Sequence, residues 1–184
     1  MTVAAIFLPL LGAFIAGVFG RWIGDRGAQL VTCLALALAA VLGIVLFVTV
    51  ALGGHGQTVD LFTWIDTGDL VNTGLHVEWA LRFDTLSAVM VAVVTVVSCM
   101  VHIYSVGYMA HDNAIPRFMS YLSLFTFFML MLVTADNFVQ LFFGWEGVGL
   151  CSYLLIGFWY DRPSADAAAI KAFVAIIVDN RLFP

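Results

Sequence analysis

The sequence predicts an all-α polytopic membrane protein with five transmembrane helices, the start of a sixth, and a short extramembrane β-hairpin. Hydrophobic residues make up 63% of the chain and charged residues only 10%, whereas soluble domains carry about 25% charged residues. Long apolar runs also recur along the chain, and each approaches the roughly 20 residues that cross a bilayer. These observations exclude a soluble fold, and the lack of a basic patch argues against a nucleic-acid partner.

Six apolar runs define the predicted spans. The first run lacks the positive n-region and the small-residue cleavage site of a signal peptide, so we expect it to be retained as a span. Pro163 and Ser164 are typical of a helix start and precede the sixth run. The spans cover residues 3–20, 28–52, 85–110, 118–135 and 137–160, with 165–178 as the start of the sixth. The chain is accordingly divided into 1–52 for the first two spans, 53–83 for the external hairpin and 84–184 for spans three to six.

The segment 53–83 interrupts the helical pattern. In "LHVEWALRF", apolar side chains from Leu75 to Phe83 alternate with polar ones, which is the period of a strand. The preceding "VDLFTWID" alternates in part, and "DTGDLVNTG" between the two is rich in turn residues. This pattern predicts an extramembrane β-hairpin.

The distribution of Lys and Arg predicts the orientation in the membrane. One set of loops holds most of the cations, whereas the other side has Arg82 among several acidic residues. The positive-inside rule therefore places the N-terminus and the hairpin outside. Aromatic residues near the predicted inner ends agree, since amphipathic rings favour the interface. The inner cations are Arg21, Arg26, Arg117, Arg162 and Lys171, and the aromatic residues are Trp22, Tyr104, Tyr108, Tyr121, Trp159 and Tyr160.

Polar residues at two predicted helix starts are read as caps. Asn137 follows a very short turn and is expected to cap span five, with Gln140 as its capping-box partner. Spans four and five then form a tight antiparallel pair. Asp84 is interpreted as the N-cap of span three, before Leu86, and Asp136 as a turn residue.

Glu146 is the single charge in the run 137–160. It lies about 13–14 Å along the helix from its predicted start, near the midplane of a bilayer core about 30 Å thick. A charge there costs about 2.5–3.5 kcal/mol, so it should face protein or water. Gly144, Gly147 and Cys151 recur at three- and four-residue spacing and allow close approach of a helix or of water. We favour proton transfer over a hydrogen bond to a neighbouring helix, because intramembrane ionisable groups mark ion pathways.

Two further ionisable groups lie within predicted spans. Lys171 is a second candidate for proton transfer, at a depth that differs from that of Glu146 by roughly 10 Å, so a water-linked pair is feasible; the alternative is snorkelling to the interface. His102 lies in the inner third of span three, and a satisfied interior histidine is favoured over a proton relay. The three cysteines are dispersed along the chain and predict no metal site.

The stretch "ADNFVQLFFGWEGVGLCSYLLIGFWY", followed by "AAAIKAF", closely resembles the largest antiporter-like membrane subunit of respiratory complex I. The resemblance implies a large helix bundle built from inverted repeats, in which Glu146 is a key proton-channel residue and Lys171 matches the K-A-F lysine. It implies no cofactor on this chain, since NADH, FMN, the iron–sulfur clusters and quinone belong to the complex. The implied partners are other complex I membrane subunits, the lipid bilayer and protons. The implied location is a bacterial plasma membrane, or a mitochondrial inner membrane.

The tail departs from the family pattern. The family continues after K-A-F with a motif like V-x-N-R-x-G-D, whereas this chain reads "VAIIVDNRLFP". Asp179 and Arg181 are present out of register, so the family roles are not assigned to them. A frameshift or truncation would explain the tail, and a non-functional fragment of the complex I subunit is one alternative reading. A cation/proton antiporter subunit is the other.

Overall fold

A computed structural model describes residues 1–66 and 76–182, with side chains as far as Ile176 in the last helix. The chain forms five α-helices, one π-helical extension and two strands in these ranges. Predicted strand residue Leu75 and the "DTGDLVNTG" turn beyond Asp66 lie outside the described residues. The elements are α1 (Thr2–Leu46), a π-helical extension (Phe47–Leu52), β1 (Gln57–Asp66), β2 (His76–Phe83), α2 (Thr85–Tyr108), α3 (Ile115–Val133), α4 (Phe138–Ile156) and α5 (Pro163–Leu182).

Four of these helical stretches are long and apolar enough to cross a membrane: Thr2–Leu52, α2, α3 and α4. The membrane-protein class is therefore confirmed as a mostly helical, multi-pass chain with a small sheet. The predicted number of spans is not confirmed, because residues 3–20 and 28–52 fall within the single stretch Thr2–Leu52, which is kinked at Gly24. The fifth helix begins at Pro163, as predicted, but is not among the four, and its first turns carry Asp166 and Lys171.

The first helical stretch doubles back at Gly24. This glycine has φ 72° and ψ 175°, a left-handed conformation that only glycine adopts readily. An ideal Cβ on Gly12 would lie 3.2 Å from the Cβ of Ala35, although these residues would be about 34 Å apart along a straight helix. The element therefore consists of two arms, 2–23 and 25–46, packed against each other.

Helix α3 lies at the centre of the bundle, against α1, α2 and α4. Small residues make these contacts possible, as is common between membrane helices. Gly20 lies against Pro116, and the Ser120 hydroxyl donates to the carbonyl of Ala13 at 2.8 Å. Large apolar side chains such as Phe14 cover the outer faces, which suits a lipid environment.

Strands β1 and β2 form an antiparallel hairpin, which confirms the predicted strands within the described residues. Pairing runs from Gln57 opposite Phe83 to Asp66 opposite His76, with two register irregularities. Asp84 then caps α2, because its carboxylate accepts hydrogen bonds from the Ser87 amide at 2.8 Å and hydroxyl at 2.9 Å. This confirms the predicted cap, and the amide bond lowers the pKa of Asp84.

Candidate functional site

Glu146 is partly buried on α4 and lies on the wall of a cavity of about 310 Å³ between α3, α4 and α5. The rest of the lining is apolar and largely aromatic. The Glu146 carboxylate thus lies beside this cavity, on a helix that is otherwise hydrophobic. The lining residues are Phe128, Phe143, Glu146, Gly147, Leu150, Phe173 and Ile176.

One face of α4 is in close contact with α3 because its residues are small. An ideal Cβ on Gly144 would lie 2.8 Å from the backbone of Leu132, and one on Gly147 would overlap the ring of Phe128. Cys151, on the same stripe, is fully buried. The predicted close approach of a helix to these small residues is confirmed.

Another stripe of α4 faces α5. Glu146 precedes Gly149 by three residues and Tyr153 by seven, so these three side chains share one face of the helix. The carboxylate therefore points toward the side of α4 that α5 covers, and the two helices run antiparallel. Their contacts are Gly157 with Ala169, Tyr153 with Phe173, and Gly149 with Ile176.

Lys171 is not brought to Glu146. The antiparallel register places it level with the turn about nine residues beyond Glu146, a separation of about 13–14 Å along the axis. This is close to the depth difference of roughly 10 Å expected from the sequence. It lies two residues, or about 200°, from both Ala169 and Phe173, and so on the face away from α4. Lys171 is exposed. The side chains of the α5 turn level with Glu146 lie outside the described residues.

His102 occupies a closed polar contact between α2 and α3. Its Nδ1 donates to the carbonyl of Ser98 at 2.7 Å, and its Nε2 accepts from the hydroxyl of Ser123 at 2.9 Å. The Nδ1 proton is assigned from the carbonyl, which can only accept. The side chain is fully buried. This is the satisfied interior histidine that the sequence favours.

The cap of α4 also receives the hairpin. Asn137 is the predicted N-cap, with its side-chain oxygen accepting from the Gln140 amide at 2.9 Å. The capping-box interpretation of Gln140 is wrong, because its side-chain oxygen accepts from the backbone of Ala80 at 3.2 Å. Asn137 also donates to the carbonyl of Glu78 at 2.6 Å. Strand β2 thus bonds to the side chains of Asn137 and Gln140 at the start of the helix that carries Glu146.

The loops predicted to be inner lie together at the opposite end of the bundle. A cleft of about 610 Å³ there contains Arg21 and Arg117. The Arg117 guanidinium donates to the carbonyl of Phe158 at 3.2 Å and lies 4.7 Å from the centre of its ring. The indole of Trp159 donates to Asp112 at 2.9 Å, and this bond lowers the pKa of that carboxyl. Arg21 and Arg117, two of the cations that carry the topology prediction, therefore lie at the same end of the bundle.

Sequence reasoning missed the aromatic wall of the Glu146 cavity. The position of Phe143 is readable, since it precedes Glu146 by three residues and so shares its helix face. Phe128 and Phe173 come from other helices, and no local pattern indicates that they meet at this point. Among the described residues, no cluster of three or more His, Cys, Asp or Glu could hold a metal ion.

Comparison with known proteins relates the chain to respiratory subunits. Residues 64–119 match the family described as NADH-Ubiquinone oxidoreductase (complex I), chain 5 N-terminus, and residues 135–181, which include Glu146 and Lys171, match NADH:quinone oxidoreductase/Mrp antiporter, TM. The NADH-quinone oxidoreductase subunit L of Rickettsia bellii (strain RML369-C) is 51% identical over 183 residues, which are 100% of this chain and 28% of that protein. The NADH-ubiquinone oxidoreductase chain 5 of Arabidopsis thaliana is 49% identical over 174 residues, 95% of this chain and 25% of that protein.

The chain therefore spans about a quarter of the length of the curated relatives it matches. The similarity nevertheless extends over the whole chain, at about half of its positions. It includes both the hairpin region and the helix that carries Glu146. The chain belongs to the family of NADH-quinone oxidoreductase subunit L and NADH-ubiquinone oxidoreductase chain 5.

Proposed function

We propose that the chain belongs to a proton-translocating membrane subunit of NADH:quinone oxidoreductase, in which NADH-to-quinone electron transfer drives proton pumping, and that Glu146 takes up and releases the transported proton. The supporting observation is the position of this carboxylate on the wall of a cavity inside an apolar helix bundle. Ionisable groups at such depth are costly and mark ion pathways. Family membership supports the same activity for the full-length subunit.

The cavity supplies the access that proton exchange needs. At about 310 Å³ it has room for several water molecules, each taking about 30 Å³ in the liquid. Water beside Glu146 would deliver and remove the proton. Lys171 is the second proposed proton-transfer group. Because it lies on the far face of α5, the proton would pass between the two groups through water around that helix.

The membrane arrangement follows from the same proposal. The two arms of α1 each form a span, the second together with Phe47–Leu52, so that the chain has five spans and α5 begins a sixth. The N-terminus and the hairpin lie outside and the cleft that contains Arg21 lies inside, in accordance with the positive-inside rule. The membrane is the bacterial plasma membrane or the mitochondrial inner membrane. The chain holds no cofactor itself, and its partners are other complex I membrane subunits, lipid and protons.

The test uses full-length subunit assembled in its complex, in sealed vesicles. Glu146→Gln keeps the shape and removes the titratable group, and we expect NADH-driven proton uptake to fall by about 10²-fold or more, the usual contribution of a positioned acid–base group. Glu146→Asp should retain part of it. The matched control is Glu78→Gln in the exposed hairpin, which should pump normally. Normal pumping by Glu146→Gln would contradict the proposal.

A cation/proton antiporter subunit is the second candidate function. The observation in its favour is that the family matched by residues 135–181 also includes Mrp antiporters in its description. The discriminating experiment is sodium-dependent growth complementation by a complete homologous chain. Complementation that survives loss of NADH-driven electron transfer would favour this second function.

A further inference from the structure

The β-hairpin is joined to the start of α4 by backbone and side-chain hydrogen bonds. The amide of Arg82 donates to the carbonyl of Thr134 at 2.9 Å, in the turn between α3 and α4. Leu81 forms a β-bridge with Ala135. Together with the bonds from β2 to Asn137 and Gln140, these contacts hold the strand across the end of α4. The hairpin therefore has a defined position relative to the helix that carries Glu146.

An aromatic chain continues from the hairpin to the Glu146 cavity. The ring centre of Trp79 on β2 lies 5.0 Å from that of Phe143, in an edge-on arrangement. Phe143 in turn lies 5.5 Å from Phe128. Phe143 and Phe128 both line the cavity that contains Glu146. Trp79 thus contacts a ring that forms part of the cavity wall.

The positions of Phe143, Glu146 and Phe128 along α4 show which ring lies nearest to the hairpin. Phe143 lies three residues, or about 4.5 Å, nearer the hairpin than Glu146. The Phe128 ring packs against α4 at Gly147, which has no Cβ that would overlap it. Phe143 therefore lies between the hairpin end of α4 and Glu146, whereas Phe128 lies level with Gly147, just beyond the carboxylate. Freeing Phe143 would therefore open that end of the cavity.

We propose that the hairpin closes the Glu146 cavity at its own end of the bundle, with Trp79 as a positioning residue that holds Phe143 across the route to the carboxylate. The closure stands on the contacts alone, whereas its role in proton transfer rests on the proposed function of Glu146. Proton exchange between Glu146 and the hairpin side would then require the Phe143 ring to move. Access from the α5 side stays independent of Trp79.

The test measures access directly and does not depend on pumping. Glu146→Cys is introduced into the full-length subunit of the assembled complex, in a background without other reactive cysteines. A small water-soluble methanethiosulfonate is added from the hairpin side, and the labelling rate is followed by mass spectrometry. We expect Trp79→Ala to raise that rate about three- to tenfold, as the loss of one aromatic contact allows. Trp79→Phe should restore a rate close to that of the parent.

Trp64→Ala is the matched control. Trp64 lies 4.9 Å from Trp79 in the same hairpin, but within the described residues no ring contact joins it to Phe143. It should leave the labelling rate nearly unchanged. An unchanged rate in Trp79→Ala, an equal rise in Trp64→Ala, or an equal rise with reagent added from the opposite side would each overturn the proposal.

A second readout separates the closure from the function of Glu146. In the parent with Glu146 intact, Trp79→Ala should change the pH profile of NADH-driven proton uptake per assembled complex, and Trp79→Phe should restore it. If Glu146→Gln pumps normally, the proposed function fails while the labelling result still stands. If Glu146→Gln abolishes pumping but Trp79→Ala leaves the labelling rate of Glu146→Cys unchanged, only the proposed closure fails.

Discussion

His102 and Glu146 are both ionisable and both lie deep in apolar helices, yet their surroundings are opposite. His102 is fully buried, and each of its ring nitrogens is bonded to a protein atom. Glu146 is only partly buried and lies on the wall of a cavity. A buried polar group with its partners in place stabilises packing, whereas exchange of a proton needs a route to water. Access to a cavity, rather than depth in the helix, therefore distinguishes the candidate site at Glu146 from the structural contact at His102.

The largest expected effect comes from the glycine beside Glu146. In Gly147→Ala the new methyl group would overlap the ring of Phe128, and overpacking of this kind costs about 2–3 kcal/mol. Gly107→Ala is the control, since nothing lies within 4 Å of its ideal Cβ and the change should be neutral or stabilising. Thermal unfolding in detergent measures both. Equal stability of the two variants would show that the Phe128 ring moves to accommodate the methyl group at little energetic cost.

His102→Leu should reduce stability and spare proton transfer. Loss of the imidazole removes the partner of the Ser123 hydroxyl, at a cost of about 1–2 kcal/mol, because that hydroxyl can still find a carbonyl in its own helix. A double-mutant cycle with Ser123→Ala measures the coupling between the two side chains. Proton uptake per assembled complex should remain normal. If fully assembled His102→Leu complex lost pumping, the comparison would fail and His102 would belong to the proton route.

The two helix caps at the hairpin end offer a smaller test. Asp84→Ala removes a local cap from α2 and should cost about 1 kcal/mol. Asn137→Ala removes the cap of α4 and also the hydrogen bond to Glu78, so it should cost about 1 kcal/mol more. Chemical denaturation of the purified complex compares them. Equal costs would mean that the bond from Asn137 to the hairpin contributes nothing.

The smallest effect is expected at the far end of the bundle. The indole of Trp159 lowers the pKa of Asp112, so this bond stabilises the fold above the ordinary pKa of an aspartate, about 3.9, and is lost as the pH falls through the lowered value. Trp159→Phe should raise the pKa of Asp112 and flatten that acid dependence. Unfolding temperatures across the acid range measure it. Any change in labelling of Glu146→Cys in this variant would show that the two ends are coupled.

The sequence predicted the features that depend on residues close together along the chain. The caps Asp84 and Asn137, the alternation of β2 and the small residues that approach α3 all follow from neighbours in sequence. Gln140 was misread because its partner, Ala80, is sixty residues away. The wall formed by Phe128 and the outward position of Lys171 depend on the register between helices. That register is set by contacts such as Gly149 with Ile176, which no single run of sequence contains.

The bond between Arg82 and Thr134 has a consequence for biogenesis. Arg82 is synthesised about fifty residues before its partner, a delay of roughly 3–10 s at the usual pace of translation. During that interval the outer edge of β2 has no partner, and such an edge is prone to wrong pairing. Docking of the hairpin is therefore a late event in assembly, which follows the arrival of the turn between α3 and α4.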